Sequence, residues 1–280
     1  MRVAVTGASG FVGRYVVAEL LRHEVQVVAL TRDAKHLAGV HPSIQVAQFD
    51  LAQPDDDCYA RLGRPDVLIH LAWDGLPNYK SLHHFETELP RQYQFLKSMV
   101  LAGLPSMLVT GTCFEYGMQS GCLSEDTLTR PGNPYGHAKD VLRQELEFLR
   151  SAQPFSLTWA RLFYMYGEGQ SGASLYPKLC EAVARRDTRF DMSGGEQLRD
   201  YLPVTEVARQ IVCLAMLQRD IGPVNVCSGS PVSVRRLVER WLMENDWNIA
   251  LGLGAFPYPN HEPMAFWGDK RHLEAMLAKR

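Results

Sequence analysis

The stretch that decides the fold is Val3-Ala4-Val5-Thr6-Gly7-Ala8-Ser9-Gly10-Phe11-Val12-Gly13. Val3 to Val5 predict a buried parallel strand, and the apolar positions after Gly10 predict a helix that runs to Leu21. A strand, a glycine turn and a helix N-terminus direct backbone N–H groups at one point, which suits a pyrophosphate. The glycines are spaced G-x-x-G-x-x-G rather than G-x-G-x-x-G. Because a strand and a helix flank them, we interpret the turn as a dinucleotide site rather than an ordinary tight turn.

The composition is that of a globular protein with no nucleic-acid or membrane partner. The chain has 280 residues, 46% of them hydrophobic, and a formal net charge of −2. It has no basic block, and no apolar run approaches the ~20 residues of a membrane span. The six cysteines include no Cys-x-x-Cys pair, which indicates free thiols in a reducing compartment. With the first strand beginning at residue 2, we expect no signal peptide and a cytoplasmic location.

Strand and helix patterns alternate through the first half of the chain. This alternation predicts an α/β fold with a doubly wound, Rossmann-like parallel sheet. After residue 163, Gly, Ser, Pro and aromatic residues become frequent, which indicates a smaller α/β substrate lobe. We predict a dinucleotide-binding domain at 1–165 with return segments at about 203–226, and an interleaved lobe at 166–202 and 227–280. The predicted strands and helices are Gln26–Leu30, Ser43–Phe49, Val67–Ala72, Glu88–Ala102, Met107–Thr112, Pro134–Arg150, Ser156–Phe163, Val204–Gln218 and Gly222–Val226.

Tyr135 and Lys139 are four residues apart on a predicted helix, so they share one face. A free tyrosine has a pKa near 10, and a neighbouring ammonium and an oxidised nicotinamide would lower it toward neutrality. Thr112 ends a strand and can hydrogen-bond a substrate oxygen. Alone, Tyr-x-x-x-Lys is more often a surface pair, and a strand-end Thr is as often bonded to backbone. Their position downstream of the glycine turn favours catalysis.

These motifs together resemble the extended short-chain dehydrogenases/reductases, in the NAD-dependent epimerase/dehydratase family that acts on nucleotide sugars. The resemblance covers nearly the whole chain. It rests on the segments 6–13 (TGASGFVG), 70–72 (HLA), 112–117 (TCFEYG), 135–139 (YGHAK), 161–167 (RLFYMYG) and 199–201 (RDY).

The resemblance implies a catalytic role for Thr112, Tyr135 as acid/base, Lys139 at the nicotinamide ribose, and a homodimer. It also implies an arginine, Arg199, that holds the substrate diphosphate, unless Arg199 forms a surface salt bridge with Asp200. The cofactor-binding residues are predicted to be Gly7, Ser9, Gly10, Phe11, Val12, Gly13, Thr31, Arg32, Asp50, Leu51, Leu71, Ala72, Trp73, Tyr135, Lys139 and Phe163. The substrate-binding residues are predicted to be Trp73, Cys113, Phe114, Tyr164, Arg199 and Trp267.

Several positions depart from the family pattern. Cys113 and Phe114 stand where family dehydratases carry an Asp-Glu pair, which disfavours 4,6-dehydration. Thr31-Arg32 replaces the acid that binds the adenosine ribose in NAD enzymes, which favours NADP(H) over NAD(H), although the neighbouring Asp33 complicates this. Glu88 replaces an asparagine at the start of the helix that follows the fourth strand. His83-His84 is interpreted as loop surface, and we predict no metal site.

The function expected from these residues is reduction of the C4 ketone of a nucleotide-linked 4-keto-6-deoxyhexose by NAD(P)H. We expect a dTDP-linked substrate and a product used for 6-deoxysugar and surface polysaccharide biosynthesis. Two alternatives stay open: a nucleotide-sugar 4-epimerase with tightly bound NAD, and a non-catalytic protein that senses a dinucleotide. Which sugar is bound, and the stereochemistry at C4, do not follow from the sequence.

Overall fold

The computed structural model describes residues 1–37, 41–52, 57–258 and 262–278. The strands are β1 (Arg2–Thr6), β2 (Gln26–Thr31), β3 (Ile44–Gln48), β4 (Val67–His70), β5 (Ser106–Thr112), β6 (Gly121–Leu123), β7 (Ser156–Leu162), β8 (Tyr164–Tyr166), β9 (Arg189–Asp191), β10 (Leu198–Arg199), β11 (Tyr201–Pro203), β12 (Gly222–Val226), β13 (Val232–Ser233), β14 (Ala250–Gly252) and β15 (Phe266–Gly268). The helices are α1 (Phe11–Leu20), α2 (Cys58–Arg61), α3 (Leu89–Leu101), α4 (Pro134–Ala152), α5 (Leu175–Ala184), α6 (Val204–Met216), α7 (Val234–Glu244) and α8 (Arg271–Leu277).

The central sheet has seven strands in the order β12-β7-β5-β4-β1-β2-β3. Every neighbouring pair in it is parallel. The strand order reverses between β1 and β4, and ligands of such sheets bind in the crevice beyond the carboxyl ends at that point. The predicted doubly wound parallel sheet is therefore confirmed.

Helices cover both faces of this sheet. Because successive side chains of a strand point to opposite faces, Val3 and Val5 pack with α1 and α6, while Ala4 packs with α3 and α4. Burial on both faces explains why the sheet strands read as nearly continuous apolar runs.

The smaller lobe is interleaved with the sheet, as predicted. Helix α6 returns to pack on α1, and β12 joins the sheet beside β7. The lobe has its own apolar cluster between α5 and α7, which includes Leu179, Phe190, Val238 and Trp241. The numerical domain bounds stay a prediction.

The predicted elements end within about two residues of the observed ones, which is the usual uncertainty of a helix or strand end. Asn133 caps α4 as expected, since its Oδ1 accepts the Gly136 N–H at 2.8 Å and Pro134 takes the first helical position. A single turn of π-helix, His84–Glu88, leads into α3 and was not predicted. No helix in the described part of the chain is long and apolar enough to cross a bilayer. The homodimer and the cytoplasmic location stay predictions.

Candidate active site

A cleft of about 910 Å³ opens at the carboxyl ends of β1, β2, β4, β5 and β7. Every residue predicted to bind the cofactor lines it, from the glycine turn to Phe163. So do four of the six predicted substrate residues, namely Trp73, Cys113, Phe114 and Tyr164. The structure therefore brings together residues as far apart in the chain as Gly7 and Tyr164, because parallel strands end at one edge.

The glycine turn is built by close backbone contacts. Gly7 has φ +67°, and a Cβ there would lie 2.9 Å from the Ala72 nitrogen. A Cβ on Gly13 would lie 2.0 Å from the Gly7 carbonyl oxygen. A side chain at either position would separate β1 from α1 or from the segment after β4, so both glycines are required by packing.

The same turn fits the pyrophosphate of a dinucleotide. Gly10 is the N-cap residue of α1, and no side chain caps the helix there. The first N–H groups of an α-helix have no partner within the helix and favour negative charge. Since Gly7, Gly10 and Gly13 also line the cleft, the anion-binding end of α1 faces the space where the cofactor is expected.

Thr31 and Arg32, predicted to bind the adenosine ribose, line the cleft, and Asp33 follows them in the chain. The Asp33 carboxylate accepts the Lys35 N–H at 2.9 Å, so it caps the following turn. The Arg32 side chain is largely exposed at the cleft and approaches Asp74 only at 3.8 Å. The position predicted to bind the adenosine ribose thus offers a cation, while the nearby acid is engaged with the backbone.

Tyr135 and Lys139 lie on the buried face of α4, with 8% and 1% of their surfaces exposed. The Lys139 Nζ donates a hydrogen bond to the Thr110 carbonyl oxygen at 2.9 Å. Thr112 accepts the Phe114 N–H at 3.3 Å, which caps a short 3₁₀ turn at residues 113–115. This capping corresponds to the backbone role considered as the alternative for Thr112, yet its hydroxyl also interacts with Tyr135.

Burial is the largest cause of the pKa shifts of both Tyr135 and Lys139. Burial raises the pKa of Tyr135 well above its usual value, and Tyr79, Glu115 and Cys113 add to this effect, whereas contact with Thr112 lowers it. Burial also lowers the pKa of Lys139 to about 7, against the opposing charges of Glu115 and Glu88. Burial thus acts against the lowering expected from a neighbouring ammonium and an oxidised nicotinamide, and that lowering stays a prediction. The direction of the burial shift favours the neutral phenol, which is the form that can donate a proton.

Two predicted substrate residues are placed elsewhere. Arg199 is 3% exposed, and its Nη2 lies 2.9 Å from a carboxylate oxygen of Glu262. Its expected alternative partner, Asp200, instead accepts the N–H groups of Ser228 and Gly229. Trp267 is half-buried on β15, which pairs with β6. Neither Arg199 nor Trp267 lines the cleft.

The interpretation of His83-His84 as loop surface is wrong for His84. His84 is fully buried rather than on a loop surface. His83, Asp74 and Glu88 come within 4.8 Å of one another, a grouping that could hold a cation. Arg32 lies 3.8 Å from the Asp74 carboxylate, and Arg91 lies 3.6 Å from the Glu88 carboxylate. These two arginines therefore already balance the negative charge of the carboxylates.

The substrate end of the cleft has an aromatic wall that was not predicted. Tyr166, Tyr176 and Tyr201 surround Trp241, with ring centroids 4.8 to 6.4 Å from it. All four residues line the cleft. Their positions are spread over β8, α5, β11 and α7, so no local spacing in the sequence could have grouped them. The tryptophan of this wall is Trp241 and not Trp267.

Comparison with known proteins identifies relatives of this chain. Residues 3–227 match the model of the NAD dependent epimerase/dehydratase family. The chain is 31% identical over 272 residues to the dTDP-6-deoxy-L-talose 4-dehydrogenase (NAD(+)) of Aggregatibacter actinomycetemcomitans, covering 96% of this chain and 100% of that one. It is also 31% identical to the dTDP-6-deoxy-L-talose 4-dehydrogenase (NAD(P)(+)) of Kitasatospora kifunensis, over 87% of this chain and 79% of that one.

A solved structure has the same fold. The structure of MoeE5 in complex with UDP-glucuronic acid and NAD superposes with a TM-score of 0.82 and 27% identity, covering 99% of this chain and 93% of that one. With the glycine turn and the buried Tyr135–Lys139 pair in one cleft, these matches show that the chain belongs to the NAD-dependent epimerase/dehydratase family of nucleotide-sugar enzymes.

Proposed function

We propose that this protein reduces the C4 ketone of a nucleotide-linked 4-keto-6-deoxyhexose, with dTDP as the nucleotide and NADPH as the reductant. The observation that carries the proposal is the buried Thr112–Tyr135–Lys139 group, which lines the same cleft as the glycine turn and the aromatic wall. Two relatives are named as 4-dehydrogenases of a dTDP-linked 6-deoxysugar. Such enzymes break the same carbon–hydrogen bond at C4 that a ketoreductase forms.

The side chains suit this chemistry. The bound dinucleotide would supply the hydride to C4. Tyr135, held neutral by burial, gives its phenolic proton to the C4 oxygen as negative charge develops there. Thr112 orients that oxygen through its hydroxyl, and the Lys139 ammonium stabilises the phenolate that Tyr135 becomes. Burial also raises the pKa of the Cys113 thiol, and we assign Cys113 no step in the proposed proton transfer.

The decisive experiment mixes the purified protein with dTDP-4-keto-6-deoxyhexoses and NADPH and follows absorbance at 340 nm. We expect loss of one NADPH for each ketosugar reduced. Interconversion of two sugars with no added cofactor, by protein that purifies with bound NAD, would identify a 4-epimerase instead. Dinucleotide binding without turnover of any nucleotide sugar would favour a sensing protein.

The choice of cofactor is proposed to depend on Arg32. A guanidinium at the adenosine ribose favours a 2′-phosphate, and a hydrogen bond to a charged group is worth ~1.5–3 kcal/mol. We therefore expect Arg32→Ala to weaken NADPH binding by roughly tenfold or more, measured by fluorescence titration. NADH binding is the internal control and should change little. An equal loss for both dinucleotides would contradict this role.

The binding of the diphosphate is proposed to require opening of the Arg199–Glu262 pair. Removing the carboxylate partner of a buried arginine lowers the stability of the folded protein by ~3–5 kcal/mol. A diphosphate can take the place of that carboxylate. We expect Glu262→Gln to lower the melting temperature of the free protein yet tighten dTDP binding by roughly tenfold, measured by calorimetry. Glu206→Gln is the control, since Glu206 pairs with Arg209 on the surface of α6. Unchanged or weaker dTDP binding in Glu262→Gln would show that Glu262 does not compete.

A further inference from the structure

Trp73 and His84 form a hydrogen-bonded pair of rings directly beside Lys139. The Lys139 Nζ lies 4.0 Å from the centroid of the Trp73 ring. The Trp73 Nε1 donates to His84 Nδ1 at 3.1 Å, and His84 Nε2 lies 2.8 Å from the Asn78 carbonyl oxygen. Trp73 and His84 are not members of the Thr112–Tyr135–Lys139 group described above.

The two hydrogen bonds fix the state of the histidine. Because Nδ1 accepts the indole N–H, the ring proton must be on Nε2, which donates it to Asn78. His84 is therefore a neutral imidazole with both nitrogens engaged, and its ring cannot rotate without losing a bond. It is also fully buried, which makes any such loss costly.

The backbone around the pair is held as well. The turn of π-helix at His84–Glu88 closes its hydrogen bonds over five residues rather than the four of an α-helix, which changes the direction of its side chains. The buried Glu88 carboxylate accepts the Asp74 N–H at 3.1 Å and the Gln92 amide at 2.9 Å. The residue next to Trp73 is thus tied to α3, and the indole is restrained through both its backbone and its side chain.

An aromatic face suits a buried ammonium that must also bind a ligand. The face attracts the cation without taking one of its N–H groups, and the attraction grows as water is removed. The Thr110 carbonyl already accepts one of the three N–H groups of Lys139. The remaining groups can then meet hydroxyls of a ligand in the cleft.

We propose that Trp73 and His84 are positioning residues for Lys139: His84 orients the indole, and the indole face holds the ammonium where it meets the bound cofactor and Tyr135. The inference rests on the proposed function for its reaction, but cofactor binding tests it without any sugar.

The test compares His84→Leu, which removes the acceptor for the Trp73 N–H, with His84→Asn, whose Oδ1 can take the place of Nδ1. We expect His84→Leu to weaken NADPH binding and lower kcat, each about tenfold, with little change in the KM for the sugar. His84→Asn should keep both within about threefold of the wild type. His137→Leu is the matched control, because His137 is exposed on α4.

A double-mutant cycle shows whether His84 acts through Lys139. In a Lys139→Met background, adding His84→Leu should change NADPH affinity by less than about twofold, since the group that it positions is gone. If His84→Leu does not fold, the same cycle is run with Trp73→Phe, which keeps an aromatic face, and Trp73→Leu, which does not. Trp73→Leu should weaken NADPH binding more than Trp73→Phe does, and this difference should disappear in the Lys139→Met background.

Three results would overturn the inference: normal NADPH binding in His84→Leu, no rescue by His84→Asn, or losses that multiply in the Lys139→Met background. Coupling in NADPH binding without turnover of any ketosugar would support the inference and refute the proposed reaction. Turnover of a ketosugar with no coupling between His84 and Lys139 would support the proposed reaction and refute the inference.

Discussion

Replacing Tyr135 by phenylalanine should lower kcat for ketosugar reduction by about 10³-fold, within the range that general acid catalysis supplies. The variant keeps the ring that packs against Trp73 and Tyr79, so the site should stay folded. It loses only the hydroxyl, and with it the proton for the C4 oxygen. We expect NADPH affinity within about threefold of the wild type, and single-turnover absorbance at 340 nm measures the loss.

Tyr79→Phe is the matched control for this variant. Tyr79 lines the same cleft, and its ring centroid is 5.6 Å from that of Tyr135, but we give its hydroxyl no proton to transfer. It should retain most of the activity. A Tyr135→Phe enzyme with kcat within tenfold of the wild type would remove the proposed acid and, with it, the proposed mechanism.

Replacing Glu115 by alanine should reduce the free energy of unfolding by ~3–5 kcal/mol, the usual result of removing one partner of a buried ion pair. Glu115 and Arg161 are 0% and 2% exposed at their side chains and lie 2.7 Å apart. The same carboxylate accepts the Trp159 indole N–H at 3.0 Å and the Thr112 N–H at 2.8 Å. The substitution would therefore leave three buried donors without their partner.

Urea denaturation measures this loss, and Glu147→Ala is its control. Glu147 also pairs with an arginine, Arg143, but its side chain is 35% exposed, so its removal should cost less than ~1 kcal/mol. The double variant Glu115→Met with Arg161→Met should recover part of the stability, because it leaves no unpaired charge but still leaves the Trp159 and Thr112 N–H groups without an acceptor. A loss for Glu115→Ala no greater than that of the control would contradict a structural role for the pair.

The Glu115 pair also connects stability to the site. Its carboxylate holds the backbone of Thr112, whose hydroxyl reaches Tyr135. The Glu115 side chain is absent from the described cleft lining, because residues 113–115 form a 3₁₀ turn and the carboxylate pairs with Arg161 on β7.

Local patterns were enough to predict most of the fold. The glycine turn, the alternation of strands and helices, and the Asn133–Pro134 start of α4 depend on residues within one turn or one strand of each other. For the same reason the spacing of Tyr135 and Lys139 correctly placed both side chains on one face of α4, where both are buried. The topology of the sheet then followed from the handedness of its connections.

Features that depend on distant partners could not be predicted in this way. Arg199 was predicted from its motif alone to hold the substrate diphosphate. Its guanidinium instead pairs with Glu262, which is 63 residues away in the chain. His84 looked like loop surface because nothing near it in sequence shows that Trp73 would cover it. Trp267 was predicted to bind the substrate, but it lies on β15 outside the described cleft lining. Trp241 lines the cleft instead, and its position in the sequence does not show which side of the lobe faces the cleft.

The sequence by itself thus determined the family, the parallel sheet and the candidates for the reactive side chains, since each is encoded by short-range spacing. Only the tertiary structure decided which of those side chains lose their water and which charges face them. Burial and pairing set the protonation of Tyr135 and Lys139, and both depend on segments that meet only when the chain has folded.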